Sequence, residues 1–178
     1  MLFVGRLTRQ KGPEYLVDIA ERVLQFNQNV RFVMAGTGEY FNPLLVRAAQ
    51  KGIAHRFHLT GFLNLEKVRT LLSMADVYIM PSVSEPFGLS AVEAVQFGIP
   101  VVISKQSGVS EVLKGALKFD YWDVDRAAEY VLSLVNNEVL SEKVRDDAFA
   151  DLEHISWDIA AARVLEGYQK HNLVKELV

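Results

Sequence analysis

Short apolar runs alternate along the chain with segments whose apolar residues recur roughly every three to four positions. Leu2–Val4, Val30–Ala35, Phe57–Thr60, Asp76–Met80, Val101–Ser104 and Ala116–Phe119 read as strands. Between them, Pro13–Phe26, Pro43–Lys51, Leu65–Met74 and Leu89–Phe97 read as helices, with a short helix at Gly108–Leu113. Leu16, Val17, Ile19, Ala20, Val23 and Leu24 share one side of the first helix. Pro13 suits its first position, where the missing N–H would have no intrahelical partner. Gly52 and Gly98 stand where helices stop. From residue 123 the alternation ends, and Asp123–Asn136, Val139–Glu153 and Trp157–Lys170 follow one another as helices. Strands separated by helices imply a parallel sheet covered on both faces. The expected fold is therefore α/β, a six-stranded doubly wound sheet with a helical C-terminal tail.

Composition narrows the classes open to such a fold. The chain has 178 residues, one domain's worth. Half of them are hydrophobic and 23% charged, which excludes disordered, collagen-like and coiled-coil proteins. A formal net charge of −3 argues against a nucleic-acid partner. The absence of cysteine excludes disulfides, thiol catalysis and Cys-ligated zinc, and fits a reducing, cytoplasmic setting. No apolar run approaches the roughly 18 residues of a transmembrane helix, so no transmembrane segment is expected. Met1-Leu2-Phe3-Val4-Gly5 opens inside an apolar run with no signal-peptide features, which reads as the start of an excised piece.

Ligands of such sheets bind beyond the carboxyl ends of the strands, so the strand-to-helix loops carry the candidate chemistry. The first, Gly5-Arg6-Leu7-Thr8-Arg9-Gln10-Lys11-Gly12, sets the cations Arg6 and Lys11 beside a helix N-terminus. Arg offers a planar fork and Lys a mobile point charge, both suited to phosphate, and the helix end favours anions. The alternative is a pair of solvated surface cations. The second, Gly36-Thr37-Gly38-Glu39-Tyr40-Phe41, is a partial G-x-G that reads as a tight turn, with Gly36 able to admit a ligand to the backbone. The fourth, Pro81 to Gly88, brings Glu85 in the loop and Glu93 inside the next helix. Carboxylates there can accept hydrogen bonds from hydroxyls. Glu85 could instead serve the helix dipole, and Glu93 could face solvent. Ala91, Val92, Ala94 and Val95 make that helix apolar nearly all round, so Glu93 is expected to need a partner.

Three other features carry less. Asp123-Val124-Asp125 spells a D-x-D pattern, but it opens a helix, where Asp caps. His55, His58, His154 and His171 lack metal-ligand spacing, and His55 and His58 are expected to be structural. Ser82, Ser84 and Ser90 lie outside any G-x-S-x-G context.

Gly5-Arg6-Leu7 with Lys11-Gly12, and Ser84-Glu85-Pro86-Phe87-Gly88-Leu89 with Glu93-Ala94, resemble the C-terminal domain of retaining GT-B glycosyltransferases, family 4 and glycogen-synthase-like (glycosyl transferases group 1). The spacing Glu85 to Glu93 matches that family's E-x7-E signature. Ala35-Gly36-Thr37-Gly38, Thr60-Gly61-Phe62, Ala75-Asp76-Val77 and Ser107-Gly108-Val109-Ser110-Glu111-Val112 agree in order, so the likeness covers essentially the whole chain. It implies a three-layer Rossmann-like domain, residues 1–178, that is one half of a GT-B fold. The N-terminal acceptor-binding half, which usually supplies a histidine near the reacting sugar, would be missing. It implies hexosyl transfer, with glucose the first candidate, from a nucleotide-sugar such as UDP-, ADP- or GDP-glucose to an acceptor glycan, with no other cofactor and no metal. By the same likeness Arg6 and Lys11 hold the donor diphosphate, Glu85 the sugar hydroxyls and Glu93 the ribose. Phe87, Gly88 and Leu89 line sugar and phosphate, Gly5 and Gly36 allow close backbone approach, and Phe62 and Leu63 fall beside the base. The chain departs from the family at Ser107-Gly108, where Gly-Gly is common, and Lys105-Gln106 adds a further phosphate or sugar contact. The last helix resembles the segment that crosses to the N-terminal domain, which would leave its apolar face exposed. A UDP-sugar epimerase of GT-B fold is the second reading, although Glu85-Pro86-Phe87-Gly88 fits it poorly. A non-catalytic α/β binding module is the third, and the Gly5-Arg6 end of the first strand opposes the acidic cluster of response-regulator-like folds.

Overall fold

The computed structural model describes residues 1–170. Six strands, β1 (Leu2–Val4), β2 (Phe32–Ala35), β3 (Phe57–Gly61), β4 (Tyr78–Met80), β5 (Val101–Ser104) and β6 (Leu117–Phe119), form one sheet in the order β3-β2-β1-β4-β5-β6. Every neighbouring pair is parallel. The helices are α1 (Pro13–Phe26), α2 (Phe41–Gln50), α3 (Leu65–Ser73), α4 (Leu89–Gln96), α5 (Val124–Asn136), α6 (Glu138–Asp151) and α7 (Trp157–Lys170).

Side-chain alternation along the strands divides the core into two layers. Phe3, Phe32, Met34, Ile79, Val102 and Phe119 pack with buried residues of α1, α2 and α5. Leu2, Tyr78, Met80, Val101 and Ile103 pack on the other side with Leu72 of α3 and Ala91, Val92, Ala94 and Val95 of α4. Both faces of the sheet are thus covered, which explains strands that read as near-continuous apolar runs.

The ladders are shorter than the apolar runs that announce them. Val30 and Val77 are buried, yet β2 begins at Phe32 and β4 at Tyr78, so both valines belong to the core without joining a ladder. Helix α2 begins two residues ahead of Pro43, because a proline in the first turn forfeits only an amide with no intrahelical partner. The short helix expected at Gly108–Leu113 is a 3-10 turn over Gly108–Glu111, and another 3-10 turn, Arg9–Lys11, precedes α1. Helix α7 buries none of its residues, and Trp157 at its start is 90% exposed.

Candidate functional site

The strand order reverses between β1 and β4, so the loops that leave these two strands diverge to opposite faces and open a crevice above the sheet. Those loops are residues 5–12 and 81–88. Backbone bonds hold them together: the Val83 and Ser84 amides both donate to the Gln10 carbonyl, at 2.9 and 3.3 Å. Gly12, at φ 61°, caps α1 so closely under this contact that a Cβ there would overlap the Pro81 carbonyl oxygen. Across the crevice the Lys11 Nζ donates to the Glu85 Oε2 in an ion pair whose side chains are 19% and 9% exposed.

A second set of bonds anchors the Glu85 loop to the end of β5. The Glu85 amide donates to the Gln106 carbonyl at 3.2 Å, and the Gly108 and Val109 amides donate to the Glu85 and Phe87 carbonyls at 2.9 and 2.6 Å. The buried Ser104 hydroxyl donates to the Ser82 carbonyl at 2.7 Å, and the Ser107 hydroxyl to the Ser104 carbonyl at 2.6 Å. The Ser104 hydroxyl therefore ties the loop to the end of β5, whereas the Ser107 hydroxyl closes a turn within its own segment. Gly88 is the N-cap of α4, and Phe87 packs on the core beneath it. The first-turn amides of α4 have no intrahelical acceptor and carry the positive end of its dipole.

Beside this crevice lies a cavity of about 190 Å³ lined by Gly5, Arg6, Gly36, Thr37, Phe62 and Leu63. Gly36, at φ 148°, sits so close to Gly5 that a Cβ would overlap the Gly5 carbonyl oxygen, and its amide donates to the Gly61 carbonyl at 2.9 Å. The Leu7 amide donates to the Thr37 carbonyl at 2.9 Å, which fixes the backbone around Arg6. The Arg6 residue is exposed, and Phe62 is 79% exposed at the rim. The candidate residues thus fall into two adjoining groups. Gly5, Arg6, Gly36, Phe62 and Leu63 share the cavity, while Lys11, Glu85, Phe87, Gly88 and Leu89 share the crevice.

Glu93 departs from expectation. It is exposed, one helical turn beyond the exposed Leu89, and among the described residues its carboxylate makes no hydrogen bond or ion pair. Helix α4 buries Ala91, Val92, Ala94 and Val95 but keeps one polar stripe, so Glu93 needs no partner. Lys105 and Gln106 are likewise committed elsewhere: the Lys105 Nζ and the Gln106 Nε2 donate to the Asp120 carboxylate at 2.8 and 3.1 Å. Those two bonds hold the Asp120 carboxyl below its ordinary range, and the bond to Asp120 raises the Lys105 ammonium above its own. His55, in a 3-10 turn, His58, in β3, and His154 are all exposed, and His171 lies outside the described residues. Asp123 caps α5, accepting from the Arg126 amide at 3.1 Å, and Asp125 pairs with Arg22 at 2.8 Å. Among the described residues no cluster of three or more His, Asp or Glu is placed to hold a metal ion. No described helix is long and apolar enough to cross a membrane.

Two supporting residues escape sequence reasoning. Gln10 acts through its carbonyl, which no side-chain pattern reveals. Tyr78, fully buried in β4, donates to Ser90 Oγ at 2.8 Å and reaches the Val4 carbonyl at 3.4 Å, tying the end of β1 to the start of α4. Burial pushes its phenol well above the ordinary tyrosine range. The visible signal was a hydroxyl within an otherwise apolar run.

Known proteins share this family and fold. The family model described as glycosyl transferases group 1 matches residues 1–150. An uncharacterized glycosyltransferase of Methanocaldococcus jannaschii is 34% identical over 95% of this chain, which spans 44% of that relative. Among solved structures, a TarM mutant of S. aureus in complex with fondaparinux, alpha-GlcNAc-glycerol and UDP superposes with a TM-score of 0.82 at 22% identity, over 93% of this chain and 34% of that one. The C-terminal domain of a glycosyl transferase group 1 family protein from Francisella tularensis superposes with a TM-score of 0.78 at 17% identity, over 85% of this chain and 83% of that one. The chain belongs to the glycosyl transferases group 1 family, and its Rossmann-like fold is that of known GT-B glycosyltransferase structures.

Proposed function

We propose that this domain binds the nucleotide-sugar donor of a retaining glycosyltransferase that passes a hexosyl group, glucose in the first instance, to a glycan acceptor. One observation carries the reading: a cation and a carboxylate, Lys11 and Glu85, meet across the switch-point crevice at the mouth of α4. A sugar diphosphate satisfies both groups at once. Its phosphates take Lys11, Arg6 and the α4 amides, and its sugar hydroxyls donate to Glu85. When the bond from the sugar to the diphosphate breaks, negative charge collects on the leaving phosphates. Preorganised cations and amides stabilise that charge, a task they can perform without a metal. The adjoining cavity between Gly5, Gly36 and Phe62 is of a size and character to take the nucleoside; Glu93, which does not line it, is carried to the ribose on the family likeness. The UDP bound in the TarM complex belongs to a protein of the same fold and supports a uridine donor here. The acceptor and the groups that receive the sugar are assigned to an N-terminal domain outside this sequence.

Calorimetry of the chain with UDP-, ADP- and GDP-glucose tests the reading. Saturable binding of at least one is expected. A folded protein that binds none of the three at millimolar concentration would show the reading to be wrong.

A further inference from the structure

Gln106 ties the Glu85 loop to the loop that follows β6. Its carbonyl accepts from the Glu85 amide at 3.2 Å, and the Gly108 amide returns a bond to the Glu85 carbonyl at 2.9 Å. Both backbone polar groups of Glu85 are therefore paired with this short segment, in one parallel bridge between Glu85 and Ser107. The side chain of Gln106 reaches the next loop. Its Nε2 donates to Asp120 Oδ1 at 3.1 Å, and its Oε1 accepts from the Tyr121 amide at 3.3 Å. The partners dictate the group: an ionised carboxylate only accepts and a backbone N–H only donates, and a carboxamide meets both. A carboxylate at position 106 would set two acceptors against each other.

These contacts belong to a closed ring around the Lys11–Glu85 pair. Tyr121 meets Tyr15 edge-on, at 5.2 Å between centroids and 68° between planes. Tyr15 lies against Gly12, the neighbour of Lys11. On the other side Gln10 accepts from the Val83 and Ser84 amides, just ahead of Glu85. The ring thus runs from loop 5–12 to loop 81–88, on to Gln106, across to residues 120–121, and back through Tyr15 to the start of α1. Glu85 lies in a loop, outside every strand of the sheet, so these bonds fix its backbone in place of a ladder. A functional carboxylate needs such support, because small displacements of a binding group weaken its contacts steeply.

We propose that Gln106 is a positioning residue for Glu85: its side-chain amide pins residue 106 to the loop after β6, so that its carbonyl holds Glu85 where the carboxylate meets Lys11 and the donor sugar. The effect on the sugar rests on the donor reading above, whereas the hold on the Glu85 backbone does not.

A swap of the two side chains tests it. In Gln106→Glu the new carboxylate faces Asp120 and the bond between them is lost. In the double variant Gln106→Glu with Asp120→Asn, the new amide at position 120 can donate to the new carboxylate at position 106. That carboxylate can still accept from the Tyr121 amide, so the bonds return with their polarity reversed. Amide hydrogen exchange is followed by NMR in the parent, the single and the double variant. Exchange at Glu85 and Gly108 should quicken about fivefold or more in Gln106→Glu, the scale of one lost hydrogen bond, and return toward the parent rate in the double variant. The Gly36 amide, bonded to Gly61 on the other side of β1, should keep its rate in all three proteins, which a general loss of stability would not allow.

UDP and UDP-glucose are titrated in parallel by calorimetry. The ratio of UDP-glucose to UDP affinity should fall about tenfold in Gln106→Glu, as expected for one weakened bond to a carboxylate, and recover in the double variant. UDP affinity itself should hold. The assignment is overturned if exchange at Glu85 and Gly108 does not respond to Gln106→Glu, if the double variant fails to restore it, or if exchange responds and the affinity ratio does not. A parent that binds UDP and UDP-glucose equally well would refute the sugar role of Glu85, while the exchange rates still decide the hold on its backbone.

Discussion

Lys11 and Glu85, 74 residues apart in sequence, form an ion pair across the crevice between β1 and β4. Each neutralises the other while the crevice holds no ligand, and each is the group the other's ligand must displace. Glu85→Gln frees Lys11 while removing the charge proposed to accept from sugar hydroxyls. UDP affinity should then be kept or raised, whereas the increment that glucose adds to UDP-glucose binding should be lost. Calorimetry with the two ligands in parallel reads both effects.

Lys11→Ala acts in two ways. It removes the proposed charge-assisted contact to the diphosphate, which should weaken UDP binding by about 1–3 kcal/mol. It also strands Glu85, whose side chain is 9% exposed, without its cation. The melting temperature should therefore fall in Lys11→Ala and recover in the double variant with Glu85→Gln, while UDP binding stays weak. A double variant that melts like the single one would mean that the pair does not act as drawn.

Glu93 offers the opposite profile. Because it is exposed and unpaired among the described residues, Glu93→Ala should change stability by no more than about 0.5 kcal/mol. The role toward the ribose proposed for it predicts weaker UDP binding with unchanged pyrophosphate binding. Equal losses for both ligands would remove it from the ribose.

Gly36→Ala probes the close approach that shapes the cavity. Its Cβ would overlap the Gly5 carbonyl at a backbone angle side chains rarely adopt. A loss of about 1–3 kcal/mol is expected from denaturant unfolding. Gly52→Ala has open space around its Cβ and pays only for its left-handed conformation, so it should cost less.

Tyr78 sets an alkaline limit. Its folded phenol ionises well above the ordinary value of 10.0, whereas the unfolded one ionises near it. Above that pH the unfolded chain holds fewer protons than the folded one, so this group makes stability fall as pH rises. Tyr78→Phe should be less stable than the parent at neutral pH by about 0.5–1.5 kcal/mol for its lost hydrogen bonds. The deficit should shrink between about pH 9 and pH 11. A deficit independent of pH would place the titration elsewhere.

The alternation of short apolar runs with helical periodicity was legible because burial on two faces imposes it residue by residue. The capping role of Asp123 was legible for a similar reason, since a cap is a contact three residues long. Glu93 was misjudged because neighbours along a helix do not reveal which stripe faces solvent: Ala91, Val92, Ala94 and Val95 are buried while Glu93 is not. Lys105 and Gln106 looked free because their partner Asp120 lies on the next strand's loop.

By itself the sequence determined the element types, the covered parallel sheet and the residue types at the ends of its strands. Those follow from local periodicity and from the chemistry each side chain carries. The tertiary structure alone decided that the sheet reverses between β1 and β4. From that order follow the meeting of loops 5–12 and 81–88, the Lys11–Glu85 pair and the support of the Glu85 loop by Ser104. Strand order is set by packing between residues far apart in sequence, and no local pattern encodes it.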